Sequence, residues 1–404
     1  MNVAIIGGGA AGFFSAITAK ENHPEASVTI FEKSSKVLHK VRVSGGGRCN
    51  VTNGCETIDE LCGAYPRGGR RLRKIFPFFN NKDTVQWFES RGVQLVLQAD
   101  GCIFPRTQDS GSITSCLTRE AKRLGVEVIT DAGVKSITRA GNSLELTFIN
   151  PERVPLSFDK VIITTGGSPK RSGLEWLERL GHKIEEPVPS LFTFNMPGED
   201  IRKLMGIVIE EALVTLQGTK IRTGGPLLIT HWGMSGPAIL KLSSHGARIM
   251  SERGYDFKIQ VNWVNETNND KVTEVIDKII SDHPGKMLTT VRPYAIPVRL
   301  WDFLLGKCEL PSDKKWVEVG SKGKNRLVNL LTNDEYSIKG KTTFREEFVT
   351  CGGVSLDDVN FKNMESKRCT GLYFAGEVLD IDAITGGYNL QNAWTTGYIA
   401  GLLK

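Results

Sequence analysis

The sequence predicts an α/β fold built on a parallel sheet and interrupted by an inserted β-rich domain. Three observations predict it: a strand, glycine turn, helix and second strand within residues 3–32; strand-like runs between 190 and 264; and a strand–glycine–helix pattern that returns from 371 onward. At roughly 150 residues per domain the 404-residue chain suggests two or three domains. It contains 43 glycines, well above the ~7 % of average usage, which marks many tight backbone positions. With no glycine period, heptad or polar low-complexity tract, the collagen-like, coiled-coil and disordered classes are excluded.

The first unit begins with Val3-Ala4-Ile5-Ile6, an apolar β-branched run that feeds directly into Gly7-Gly8-Gly9-Ala10-Ala11-Gly12. A helical stripe follows at Phe13, Ile17 and Ala19, and then a second strand, Ser27–Phe31, ends on Glu32. This is G-x-G-x-x-G in its strand–turn–helix–strand context, the fingerprint of a Rossmann-like dinucleotide site. Gly7 permits the turn, Gly9 admits a pyrophosphate, and Gly12 lets helix and strand approach. The N–H groups of Ala10 and Ala11 open the helix toward the anion. An acid at Glu32 accepts the hydroxyls of an adenosine ribose and disfavours a 2′-phosphate, so FAD or NAD is expected rather than NADP.

Three further glycine clusters separate FAD from NAD. Ser44-Gly45-Gly46-Gly47-Arg48-Cys49-Asn50-Val51-Thr52-Asn53 lets backbone pass under a flat or anionic ligand, with Arg48, Asn50 and Thr52 as donors. Gly166-Gly167 ends the strand Lys160–Thr165. In the fourth cluster, Gly376-Glu377 follows a strand, Asp380 and Asp382 come next, and Gly386-Gly387-Tyr388-Asn389-Leu390-Gln391 leads into a helix from Ala393 whose N-terminus suits the flavin N1 and O2 edge. A cofactor touched near residue 7 and again near 390 is long, which favours non-covalent FAD. Lys33, Lys40 and Val134 complete the expected cofactor contacts.

These segments resemble the BaiN/YhiN-like bacterial flavoproteins, also described as aminoacetone oxidase family FAD-binding enzymes. The resemblance rests on the Gly7–Gly12 turn, on Ser44–Asn53, on Thr230-His231-Trp232-Gly233-Met234-Ser235-Gly236-Pro237-Ala238, on Cys351–Val354, on Met364–Lys367 and on Gly371 through Trp394. It implies an FAD-binding three-layer domain of the glutathione-reductase and fumarate-reductase kind, split by an inserted β-barrel that carries a small helical subdomain. The expected boundaries are 1–189 and 346–404 for the FAD domain, 190–265 and 334–345 for the barrel, and 266–333 for the helices. The family's proposed activities run from amine oxidation to bile-acid reduction, so the resemblance leaves the reaction open.

The remaining pattern agrees. Residues 120–165 alternate like antiparallel strands with a Gly141-Asn142 hairpin turn, and helical stripes lie at 270–281, 297–305 and 324–332. No second G-x-G-x-x-G follows residue 150, so any NAD(P)H is expected to dock transiently at the flavin as a reductant.

His231 and Tyr388 are the catalytic candidates. A neutral imidazole can move the proton that accompanies hydride transfer, and Tyr388 can face substrate. Ser235 reads as the N-cap of the helix that follows. Cys49 and Cys55 invite comparison with a flavin-disulfide reductase, but C-x5-C is wider than the usual pair, and a structural or flavin-lining Cys49 is favoured. No C-x2-C or H-x3-H spacing appears, so no metal site is expected.

The net charge of +6 is concentrated in residues 31–74, which hold ten basic and four acidic side chains. Arg67, Arg70, Arg71, Arg73 and Lys74 read as a solvated face that could attract an anionic substrate. An FAD-containing, RNA-binding tRNA-modifying protein is the alternative, weakened by the lack of an accompanying aromatic motif. The eight cysteines are too sparse for a disulfide framework, Val3–Ile6 lacks a basic leader, and no run nears the ~18 apolar residues of a membrane span. A cytoplasmic FAD-dependent oxidoreductase with a small-molecule substrate and no membrane partner is therefore expected.

Overall fold

Val3, Ala4 and Ile5 are fully buried, as a central parallel strand covered on both faces requires. They lie in β1 (Asn2–Ile6), which is followed by α1 (Ala10–Asn22) and β2 (Ser27–Phe31) in a computed structural model of the chain that describes residues 1–342 and 349–404. The chain divides into two units, 1–189 with 349–404, and 190–348. The chain's expected return at residue 346 lies outside the described residues.

In the first unit, β1 pairs in parallel with β2 on one side and with β4 (Lys160–Ile163) on the other. The parallel order continues outward to β3 (Glu127–Ile129) beyond β2 and to β5 (Leu372–Phe374) beyond β4. Two short antiparallel strands at 359–360 and 365–366 complete a seven-stranded sheet. β3 corrects an expectation. Residues 127–129 form a parallel edge strand, because the helix Gly111–Arg123 supplies the crossover that a parallel neighbour needs. The antiparallel part is the meander Val134–Ala140, Ser143–Phe148 and Leu156–Phe158, turning first at Gly141-Asn142. The long C-terminal helix α2 (Tyr388–Gly401) packs on α1, with the Phe14 and Trp394 rings 5.4 Å apart.

In the second unit, seven strands run antiparallel in the order 334–339, 256–262, 208–216, 222–229, 233–235, 193–195 and 341–342. The first and last are one segment bent at Gly340 (φ 91°), whose carbonyl accepts from Asn195 N–H at 3.1 Å. Both edges of the order are therefore the same strand, and the sheet closes as a barrel. Helices Asn269–Asp282, Val298–Lys307 and Gly320–Asn333 share its core, in which the Trp301 and Trp316 rings stack at 6.2 Å. Ser235 ends a strand, and the N-cap of the helix Pro237–His245 is Gly236 at φ 93°. That is the second correction: Ser235 is held in the ladder opposite Leu228, so the chain turns into the helix one residue later, at a left-handed position that suits glycine.

Candidate cofactor and active site

The turn after β1 is held tightly. Gly7 N–H donates to the Phe31 carbonyl at 2.8 Å and adopts φ 112°, and a Cβ there would lie 2.4 Å from the Thr164 carbonyl oxygen. A Cβ on Gly12 would lie 2.0 Å from the Gly7 oxygen. Gly9 differs: a Cβ there would meet nothing within 4 Å. No protein atom demands glycine at that position, and the open space lies at the start of α1, where the N–H groups of Ala10 and Ala11 have no intrahelical acceptor. An anionic group fits this cradle.

Glu32 stands at the end of β2. Its Oε2 accepts from Gly8 N–H at 2.8 Å, and Oε1 accepts from the Ser34 N–H and hydroxyl at 2.9 and 2.8 Å. These bonds fix the carboxylate and leave lone pairs for ribose hydroxyls. Residues 131–134 run alongside: Ala132 N–H donates to the Glu32 carbonyl and Asp131 N–H to that of Ser34, and a Cβ on Gly133 would be 3.3 Å from Lys33 Cβ. Lys33 and Val134 are thus brought to the Glu32 end.

Ser44–Gly47 forms a tight turn in which Gly45, Gly46 and Gly47 have φ of 57°, 69° and 86°. A Cβ at Gly46 or Gly47 would meet nothing within 4 Å, so a flat or anionic ligand can approach this backbone. Beside it, Lys40 pairs with Glu377 at 2.9 Å, and the other Glu377 oxygen accepts from Thr350 N–H. A Cβ on Gly167 would be 2.7 Å from that Glu377 oxygen, and one on Gly166 would be 3.9 Å from its partner. A Cβ on Gly376 would lie 2.9 Å from Ala11 Cβ, so this cluster adjoins the first turn of α1. Asp380 is buried next in the chain, its N–H donating to the Val354 carbonyl.

Several side chains expected at the cofactor are engaged by the protein instead. Gln391 is fully buried: its oxygen accepts from Thr52 at 2.6 Å and Thr84 at 2.9 Å, and its nitrogen donates to Thr395. Asn389 clamps both the N–H and the carbonyl of Ala383. Asn50, oriented so that its nitrogen donates to the Thr52 and Ile103 carbonyls, accepts from Gly387 N–H at 3.1 Å. Arg48 lies 4.2 Å over the Phe104 ring and donates to Gly45 and Gln108. These residues shape the loops. What α2 offers a ligand is the backbone N–H of Tyr388, Asn389 and Leu390, which have no intrahelical acceptor. Sequence reasoning missed Thr84 and Thr395, buried hydroxyls that meet Gln391 and carry no local signal of that role.

Cys49 is buried, and burial pushes its thiol up to about 12, against a smaller opposing effect of the Ser44 hydrogen bond. Burial also raises Cys55, opposed by its bond to Tyr388. Neither thiol has the lowered pKa of a redox dithiol. The basic run is largely compensated: Arg67 forms a two-pronged pair with the buried Asp382, Arg71 pairs with Asp357, and Arg73 with Asp59 at 2.6 Å. Arg70 and Lys74 remain exposed. His231, in the second unit, is exposed at the barrel turn between Ile229 and Gly233, its ring edge-to-face with Trp232 at 4.5 Å. Among the described residues no cluster of three or more His, Cys, Asp or Glu could hold a metal, and no helix is long and apolar enough to cross a membrane.

Residues 1–403 match the HI0933-like protein Rossmann domain. The chain belongs to this family. This HI0933-like protein is accordingly a flavoprotein oxidoreductase with a Rossmann FAD-binding fold. It is 28 % identical over 417 residues to the 3-dehydro-bile acid delta(4,6)-reductase of Clostridium scindens, covering 99 % of this chain and 98 % of that one. It is 27 % identical over 407 residues to the ribosomal RNA dihydrouridine synthase of Haemophilus influenzae, covering 98 % and 97 %. In fold it is similar to the 3-ketosteroid delta1-dehydrogenase of Sterolibacterium denitrificans, with a TM-score of 0.51 at 12 % identity, covering 99 % of this chain and 98 % of that one.

Proposed function

We propose that this HI0933-like protein uses FAD to reduce a carbon–carbon double bond conjugated to a carbonyl in a small organic substrate. The observation that carries the reading is the convergence, within the first unit, of an open glycine cradle at Gly9, the Glu32 carboxylate, the open Gly45–Gly47 turn and the free N-terminus of α2. A long dinucleotide fits that series. The names of these whole-chain relatives denote addition of hydrogen across such a double bond, which supports this reaction class.

In this reading the Ala10 and Ala11 N–H groups hold the pyrophosphate, Glu32 holds the adenosine ribose, and the region of Val134 and Lys33 borders the adenine. Gly45–Gly47, Lys40, Gly166, Gly167 and Glu377 border the middle of the cofactor. The N–H groups of Tyr388, Asn389 and Leu390, backed by the α2 dipole, stabilise negative charge at the flavin pyrimidine edge. When bound, FAD supplies a two-electron hydride carrier. NAD(P)H is the proposed reductant, docking in turn with substrate because no second dinucleotide turn is present.

The second reading, uridine in RNA as the acceptor, is favoured by the ribosomal RNA dihydrouridine synthases of Haemophilus influenzae and Escherichia coli; the compensated arginines count against it. One experiment tests both. The purified yellow protein is reduced anaerobically with NADH or NADPH and mixed with small enones, with steroidal enones or with a uridine-bearing ribosomal RNA fragment. Reoxidation by an enone supports the first reading, and reoxidation by RNA alone replaces it with the second. Reoxidation by neither rejects both.

Replacing Glu32 with alanine is expected to weaken FAD by about 1.5–3 kcal/mol, the value of a charge-assisted hydrogen bond, while leaving the spectrum of bound flavin unchanged. Titration of apoprotein with FAD measures it. An unchanged dissociation constant would remove Glu32 from the ribose.

A further inference from the structure

Tyr388 opens α2, and its phenol oxygen lies 3.6 Å from the Cys55 sulfur. Neighbouring groups fix the pair. The Asn53 amide nitrogen donates to the Gly386 carbonyl at 3.1 Å, which turns the amide oxygen toward Cys55, and the thiol donates to it at 3.3 Å. Asn81 donates to both the Asn53 and the Cys55 carbonyls at 2.8 Å, so the Cys55 backbone is anchored as well. The Tyr65 hydroxyl donates to the Tyr388 carbonyl at 2.7 Å. Both members of the pair stay partly exposed. The result is a thiol and a phenol in contact, anchored through their own loops and reachable from solvent, on the helix turn assigned above to the flavin.

Resting on the reductase reading, we propose that Tyr388 is the catalytic proton donor to the carbon beside the carbonyl, and that Cys55 is the positioning residue that holds and recharges it. The step balances as follows. The π bond of the substrate breaks; the β-carbon takes the hydride of the reduced flavin, and the α-carbon takes the phenol proton. The electrons of the O–H bond stay on the Tyr388 oxygen, the Cys55 proton passes to that oxygen, and water reprotonates the sulfur. Substrate gains two hydrogens, one from the cofactor and one from solvent.

The thiol suits this part because its hydrogen has two acceptors within reach, Asn53 Oδ1 and the phenol oxygen, and rotation about the Cβ–Sγ bond moves it between them. Burial raises both groups, so both carry their protons at neutral pH, and a thiol is ordinarily a stronger acid than a phenol. The other titratable groups that act on the pair are Glu60, Cys102 and Tyr65.

The test follows reoxidation of the NAD(P)H-reduced holoenzyme by 2-cyclohexenone and by a 3-keto-4-ene steroid, with dioxygen as the control oxidant that needs no proton on carbon. Tyr388→Phe is expected to slow the enone reaction by about 100-fold or more, the range of a lost general acid, with far less effect on the dioxygen reaction. Cys55→Ala is expected to slow it on the order of 10-fold, with Cys55→Ser restoring most of the rate because a hydroxyl can also pass a proton. A second readout does not depend on the reaction: the pH midpoint of Cys55 alkylation by iodoacetamide should rise in Tyr388→Phe, since the phenol stabilises the thiolate.

Wild-type enzyme that ignores every enone overturns the reductase reading and the relay with it. Wild-type enzyme that reacts, with Tyr388→Phe equally fast, overturns the relay alone. Cys55→Ala at the wild-type rate, or an unmoved alkylation midpoint, removes Cys55 from it.

Discussion

Gly9→Ala is expected to fold as the wild type does and to purify without FAD, whereas Gly12→Ala loses both cofactor and stability. The two glycines lie in one turn but serve different partners. A Cβ on Gly12 would be 2.0 Å from the Gly7 oxygen and 2.9 Å from Thr164 Oγ1. Gly7 cannot retreat, because its N–H is bound to Phe31 and its carbonyl accepts from the Thr164 hydroxyl at 2.8 Å. Overpacking of this kind costs about 1–3 kcal/mol and splays the N–H groups that α1 presents. At Gly9 the protein leaves the space open, and φ −91° and ψ −166° suit any residue.

Only a ligand can object to a methyl group at Gly9. Displacing two backbone donors from the pyrophosphate is worth about 3 kcal/mol or more, a loss of at least roughly 100-fold in affinity. Flavin content after purification, FAD titration, and the melting temperature of each apoprotein separate the two effects. A Gly9→Ala protein that holds FAD as tightly as wild type would show that the open cradle is not the pyrophosphate site.

The second large effect lies within the second unit. Asp334 is 1 % exposed, and its carboxylate accepts from Trp263 Nε1 at 3.0 Å, from the Tyr336 hydroxyl at 2.5 Å and from Lys307 Nζ. It joins the first residue of a barrel strand to the end of the helix Val298–Lys307. Asp334→Ala leaves an indole N–H and a phenol O–H buried without an acceptor and a lysine without its partner. The expected loss is about 3–5 kcal/mol, the range for breaking a buried ion pair. Asp334→Asn, which keeps an acceptor for Trp263 and Tyr336, should lose less. Urea unfolding followed by near-UV circular dichroism measures both, and an alanine variant within about 0.5 kcal/mol of wild type, the range of an ordinary surface change, would show that the network carries no stability.

Local chemistry made much of the cofactor unit legible. Val3–Ile6 followed by Gly7, Gly9 and Gly12 has few physical solutions, since a buried strand that turns at once into a helix needs φ values and close approaches that only glycine allows. The left-handed run at Gly45–Gly47 and the glycines before Tyr388 speak in the same way. The barrel was less legible. Arg222–Ile229 contains Gly224-Gly225-Pro226, which reads as a turn, yet it is a full strand. It survives because Val208–Leu216 opposite it carries a bulge between Ile209 and Ala212, and Gly225 takes φ 136°. The bulge belongs to the partner strand and leaves no mark on the segment itself.

The same division governs the site. By itself the sequence determined the glycine turns, the acid at the end of β2 and the presence of a helix after Gly387, because each depends on neighbours a few residues away; the start of that helix, expected at Ala393, lies at Tyr388, directly after Gly387 at φ 90°. Only the tertiary structure decided how side chains are used. Gln391 and Asn50 carry amides suited to a cofactor, but their partners Thr84 and Ile103 come from the helix Asn81–Glu89 and the strand Cys102–Pro105, and a buried amide must be satisfied by whatever the fold brings to it. The pairing of Arg67 with Asp382, 315 residues apart, turned a run of positive charge into a structural tie for the same reason. Backbone conformation is written locally, whereas the partner of a polar side chain is set by which distant segments the core packs together.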